Sequence, residues 1–240
     1  MQLYFIRHGQ SINNALWERT GSNSGRKMDP DLTETGLKQA ELLAQFLNRP
    51  VPEIDPAAKD FQNRAGFNLT HIYTSLMLRA VATGMVIAEL LDLPLIAWRD
   101  LHESGGLFLE DESTGELVGQ PGPNLAYFEQ KYPRLVHKIP LGDEGWWNMS
   151  FEPVEERPLR ARRVLDELIT RHGGSQDSVA FISHGGIYNY FLMAVLGLSS
   201  KEGFWFLMNN TAISRIDFFE DRVILVYQNK TDHLPDDMIT

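Results

Sequence analysis

Gln2-Leu3-Tyr4-Phe5-Ile6-Arg7-His8-Gly9 decides the fold. Leu3 to Ile6 are apolar without alternation, as in a strand covered on both faces, and the run then breaks into a cation, an imidazole and a glycine. Residues 69–74 and Ser178–Ser183 read the same way, ending before Ser75 and before His184-Gly185-Gly186. Between these runs lie helical patterns. Thr33-Glu34-Thr35-Gly36 opens one, with Leu37, Ala40, Leu43, Ala44 and Leu47 on a single face. Leu78–Leu91 is a second, closed by Asp92-Leu93-Pro94. Residues 155–171 form a third, ended by Gly173-Gly174, and residues 186–196 a fourth, stopped at Gly197. Residues 212–218 and 223–228 predict a hairpin turning at Glu220-Asp221, and residues 232–240 a loose polar tail. Such alternation predicts an α/β protein: a three-layer α/β/α sandwich with a mostly parallel central sheet.

One stretch departs from this rhythm. Residues 104–153 are rich in glycine, proline and aromatics, among them Phe108, Tyr127, Phe128, Tyr132, Trp146, Trp147 and Phe151. So long a connection inside a domain is either a functional lid or disordered, and the aromatic content argues against disorder. The expected organisation is one domain over residues 1–240, with 104–153 as an inserted cap.

Composition narrows the function. The 240 residues are 43% hydrophobic and 22% charged, an ordinary globular profile with enough chain for a sizeable core. A formal charge of −10 lacks the basic footprint of a nucleic-acid binder and any polybasic attraction to an anionic membrane. Cysteine is absent, which removes disulfides, thiolate metal sites and cysteine-based phosphatase chemistry together. No basic leader or apolar stretch of membrane-spanning length is seen, so a soluble, cytoplasmic protein is expected. The oligomeric state is left open.

Ligands of open α/β sheets bind outside the carboxyl ends of the strands. Three such ends bring Arg7 and His8, Ser75 and Arg79, and His184 with Gly185 toward one crevice, and Glu103 in Leu101-His102-Glu103 follows another apolar run, 95–98. Two guanidinium forks match the oxygens of a phosphate dianion. An imidazole beside them resists protonation and keeps a free nitrogen for in-line attack, provided that an acceptor such as a backbone carbonyl fixes its other nitrogen. His8 is thus the expected nucleophile. His184 would donate to the phosphate oxygens, and Gly185 and Gly186 would let backbone N–H groups approach. Glu103 would protonate the leaving alkoxide and then deprotonate the attacking water, with Glu110, Asp111 and Glu112 as nearby alternatives. The expected partner is a small phosphorylated substrate. No cofactor is expected, and no metal, because His71, His102, His137, His172 and His233 lack recognisable ligand spacing and read as structural or surface residues. Arg160, Arg162 and Arg163 read as the exposed face of the third helix.

Arg7-His8-Gly9-Gln10-Ser11 with Asn14 resembles the signature of the histidine phosphatase superfamily, also called phosphoglycerate mutase-like. Asp29-Pro30-Asp31-Leu32-Thr33 with Gly36, Ser75 with Arg79, Ala80 and Thr83, then Glu103 and His184-Gly185 follow in that family's order. The resemblance runs from residue 2 to about 215 and thins to nothing inside the excursion. It implies a metal-independent phosphomonoesterase working through a phosphohistidine on His8. Arg7, Arg79 and His184 then line the phosphate pocket, Glu103 is the proton donor, and Ser11 and Asn14 support the pocket. From the residues alone, Ser11 and Asn14 serve equally well as a helix cap. The chain departs from the family by Gln10 in place of glutamate. Ser104-Gly105-Gly106-Leu107 also follows Glu103 where the mutases carry cations for the substrate carboxylate. That favours hydrolysis over mutase-type phosphoryl transfer. The remaining alternative is a non-catalytic module that only binds phosphorylated ligands.

Overall fold

The computed structural model describes residues 1–50, 60–137, 143–199 and 203–240. A seven-stranded sheet forms the middle layer, made of β1 (Gln2–Arg7), β2 (His71–Thr74), β3 (Leu95–Ala97), β6 (Leu135–Val136), β7 (Ser178–Ser183), β8 (Ile213–Phe218) and β9 (Val223–Lys230). Its order is β6-β3-β2-β7-β1-β8-β9, parallel from β6 through β1 and antiparallel across β8 and β9. Side chains of β1 alternate between two cores. Tyr4 and Ile6 join Leu43, Ala44, Leu47, Ala80 and Val81 of α2 (Glu34–Leu47) and α3 (Leu78–Leu91). Leu3 and Phe5 join Val164, Leu168, Phe191 and Leu192 of α5 (Glu156–His172) and α6 (Gly185–Leu196). With both faces covered, the unbroken apolar runs have their physical reason.

The predicted elements are found within one or two residues of their expected ends. Further elements were not predicted: the short hairpin β4 (Phe108–Glu110) with β5 (Leu117–Gly119), helix α4 (Leu125–Lys131), and β6. A first helix, α1 (Ile12–Thr20), follows the loop of His8; Ser11 caps it, with Asn14 returning the bond to the Ser11 backbone.

The stretch 104–153 is woven into the main body. Its Leu135 and Val136 extend the sheet beside β3, and Phe128, Trp146 and Trp147 are buried in the α2–α3 core. Residues 138–142 of that stretch lie outside the described residues. Two expectations are corrected. The tail 232–240 is held rather than loose: Gln39 donates to the Met238 carbonyl, and Asn210 N–H to that of Thr240. Arg160 is buried at 2% exposure rather than surface-facing, because Glu152 pairs with it at 2.6 Å. Among the described residues, no helix is long and apolar enough to cross a membrane.

Candidate active site

Register brings the key side chains together. Arg7 lies opposite Ser183, and Thr74 opposite Ile182, so the next residues, His8, His184 and Ser75, emerge side by side at the carboxyl edge of the sheet. His8 N–H bonds the Ser183 carbonyl at 3.0 Å, and Ser75 N–H bonds that of Ile182 at 3.2 Å. The His8 and His184 ring centres stand 5.0 Å apart.

The tautomer of His8 follows from its neighbours. Its Nδ1 sits 2.6 Å from the Gly9 carbonyl, which can only accept, so Nδ1 carries the proton. Nε2 is left with its lone pair and accepts from Arg79 Nε at 3.1 Å. Burial first, then the charges of Arg79 and Arg7, hold this imidazole well below the usual histidine range. His184 is also buried and held low, by burial first and then by Arg79. Its Nε2 meets the Ser75 hydroxyl at 2.8 Å, while its buried Nδ1 has no partner among the described residues.

Both arginines are fixed from behind. Arg7 donates to the Met208 carbonyl at 2.6 Å. Arg79 approaches Asp29 at 3.7 Å; that carboxylate also accepts Leu78 N–H at the start of α3, and burial pushes it up to about 6 against the pull of Arg79. The loop of His8 is clamped by close packing. A Cβ on Gly9 would meet the Gly36 carbonyl at 2.4 Å, and one on Gly36 would meet the Gln10 carbonyl at 2.1 Å, so glycine is required on both sides of this contact. Thr83 accepts Gly9 N–H, and Asn210 donates to the His8 carbonyl at 2.9 Å from beneath.

Glu103 reaches the same edge from the loop beyond β3. Its carboxylate accepts N–H bonds from Ser104, Gly186 and Ile187, which sets it at the N-terminus of α6, next to His184. A Cβ at 186 would lie 2.3 Å from Glu103 Oε1, so a side chain there would push the carboxylate from its place. The alternatives Glu110, Asp111 and Glu112 are exposed, and Asp111 is engaged with Ser113 and Thr114. Ser11 and Asn14 cap α1, and Asn14 Oδ1 is also approached by Asn210 at 3.4 Å, so this pair borders the His8 loop. Gly185 lies beside the Arg7 side chain. The Gln10 side chain bridges Thr33 and Glu18 by hydrogen bonds.

Several supporting residues were not legible from local sequence. Arg160 donates to the carbonyls of Asp100 and His102, and Glu152 accepts Gly105 N–H, so this buried ion pair braces both sides of the loop that carries Glu103. His102, next in chain, is buried against Trp147. Among the described residues, His71, His172 and Asp177 come within reach of one another at the opposite edge of the sheet; both ring nitrogens of His172 are engaged, by Asp177 and by Tyr73.

With this geometry in place, the likenesses of the chain have a physical basis. The family profile of the histidine phosphatase superfamily (branch 1) matches residues 3–231. Over 220 residues the chain is 26% identical to the Yersinia pestis protein named "Probable phosphoglycerate mutase GpmB", covering 92% of this chain and 86% of that one. Two solved structures share the fold. Phosphoserine phosphatase of Entamoeba histolytica in complex with 3-phosphoglyceric acid matches with a TM-score of 0.59 at 20% identity, over 98% of this chain and 99% of that one. The alpha-ribazole phosphatase of Shigella flexneri matches with a TM-score of 0.61 at 18% identity, over 96% and 97%.

Proposed function

The chain belongs to the histidine phosphatase superfamily, and from that premise we propose that it is a metal-independent phosphohydrolase, removing phosphate from a small phosphomonoester through a phosphohistidine on His8. The observation that carries this reading is the unprotonated Nε2 of His8, fixed by the bond from Nδ1 to Gly9 and facing a guanidinium. Arg7, Arg79 and His184 surround the phosphate in this reading and gain strength as charge shifts onto its oxygens in the transition state. Nε2 attacks phosphorus in line while the P–O bond to the leaving group breaks, and Glu103 gives that oxygen its proton. Glu103 then takes a proton from water, whose oxygen attacks phosphorus as the P–N bond breaks, returning neutral His8 and inorganic phosphate. Ser11, Asn14 and Gly185 border the pocket in this scheme, and 104–153 covers the leaving group as a cap.

The likeness to a protein named as a probable phosphoglycerate mutase favours a second reading, phosphoryl transfer within one substrate. A panel of phosphorylated metabolites and an aryl phosphate, assayed in chelator, separates the two. Hydrolysis predicts net phosphate release, lost by roughly 10³-fold or more in His8→Ala. Bisphosphate-primed isomerisation of phosphoglycerate without net release would favour the mutase. Phosphate binding with neither outcome would leave a non-catalytic binding module.

A further inference from the structure

A third arginine lies against the segment that follows Glu103 and belongs to none of the machinery above. Arg26 is half-buried in the loop between α1 and α2, and its guanidinium lies over the Phe108 ring at 4.2 Å. Phe108 is itself braced edge-on by Phe151 at 4.8 Å. The loop is pinned immediately after Arg26, because Asn13 both donates to the Lys27 carbonyl and accepts Lys27 N–H. Arg26 N–H closes a turn onto Asn23 across Gly25, whose φ of 79° is in the left-handed region. The side chain is thus held from two sides, by α1 and by an aromatic wall of 104–153.

Its electrostatic setting is unfavourable as it stands. Burial and the positive charge of Arg79 both disfavour the cation, with Glu103 opposing them. Its Nε is buried with no hydrogen-bond partner, and among the described residues no carboxylate forms an ion pair with it. A guanidinium placed near a second one, stacked on a ring and unpaired, is relieved by an incoming anion. Its position says which anion. Arg79 holds the phosphate in the proposed reaction, and Glu103 sits where the leaving group departs. Arg26 stacks on Phe108, and the Phe108 ring packs against Gly105, where an added Cβ would meet it at 2.9 Å, two residues beyond Glu103, so the cation stands on the side of the released part of the substrate.

We infer that the substrate carries a second anionic group, a carboxylate or another phosphate, on the portion released, and that Arg26 receives it. This rests on the phosphohydrolase reading of the site and names its substrate class. The cation comes from the α1–α2 loop rather than from the segment after Glu103, where the sequence holds none.

The test uses Arg26→Met, which keeps an apolar stem over Phe108 without the charge. Probes are glycerol 3-phosphate, whose released portion is neutral, 3-phosphoglycerate, which adds a carboxylate, and fructose 1,6-bisphosphate, which adds a phosphate. Loss of a charge-assisted contact predicts a fall of about tenfold or more in kcat/KM for one or both anionic probes, with Arg26→Lys recovering part of it. Glycerol 3-phosphate turnover should change by less than about twofold, and the probe that responds identifies the second anion. Equal losses on all three probes, or on none, would overturn the inference. Calorimetric titration in the His8→Ala background reads the same preference without turnover. If wild type turns over no probe but Arg26→Met still weakens the anionic ones selectively, the hydrolase reading fails and the Arg26 assignment stands. If wild type binds the anionic probes no better than the neutral one, the assignment fails.

Discussion

The two ends of the site are built differently. At the proposed phosphate end, His8, Ser75 and His184 each follow a neighbouring strand, and backbone bonds to β7 hold His8 and Ser75 within a residue of the sheet. At the proposed leaving-group end, Glu103 and Phe108 sit on a long connection whose position depends on packed aromatics and one buried ion pair, Arg160 with Glu152. Sheet register places the first end, and the Gly9–Gly36 contact locks its loop. Distant side chains make the second end, and they can vary without disturbing the first. A fold arranged in this way can keep one phosphate chemistry while changing the molecule from which the phosphate is taken.

Breaking the brace at the leaving-group end has the largest expected effect on stability. Arg160→Met leaves Glu152 buried at 8% exposure without its partner, which should cost about 3–5 kcal/mol in denaturant unfolding. The double variant Glu152→Gln/Arg160→Met should recover much of that loss. The same single variant frees the carbonyls of Asp100 and His102, so turnover should fall more for alkyl phosphates, which need a proton donor, than for aryl phosphates with good leaving groups. Equal losses on both classes would detach the brace from Glu103.

Striking the phosphate end should cost activity without that leaving-group dependence. Arg79→Ala removes the donor to His8 and, in the proposed reaction, a phosphate ligand with it, and a loss of about 10²–10³-fold in kcat is expected on alkyl and aryl phosphates alike. A loss confined to KM would mean that Arg79 only binds substrate.

How far each end can be read without a structure follows from the same contrast. Arg7, His8, Arg79 and His184 were legible because each lies within a few residues of a strand's end, where local pattern fixes position. The Gly9–Gly36 contact gives a physical reason for two glycines far apart in the chain. Arg160 was misread as a surface residue because helical periodicity cannot reveal that a carboxylate eight residues earlier folds back against it. Leu135–Val136 is too short to announce a strand, and only β3 beside it makes it one. The ordered tail escaped for a like reason: Gln39 and Asn210, which hold it, are remote in sequence. Arg26 gave no local signal, since its meaning depends on Phe108 from one segment and Arg79 from another.

The smallest effect concerns protons. Burial with Arg79 and Arg7 lowers the folded-state affinity of His8 for a proton, and burial with Arg79 does so for His184. Both rings should therefore stay neutral through pH 6.5 in an NMR titration of the free protein. His233, lowered to about 4 chiefly by burial, should follow them. For each, the folded form binds protons less readily than the unfolded chain. Their contribution to stability is then complete above pH 6.5 and is lost as pH falls from there toward the folded-state value. A His8 resonance that titrates near 6.5 would mean that neither burial nor the guanidinium groups govern it.

The most direct measurement is to trap the phosphorylated protein. After rapid mixing with a radiolabelled phosphomonoester and an alkaline quench, label should sit on the peptide containing His8, survive base and be lost in acid, and be absent from His8→Ala. Label on a hydroxyl or carboxylate residue instead, or full turnover by His8→Ala, would contradict the account.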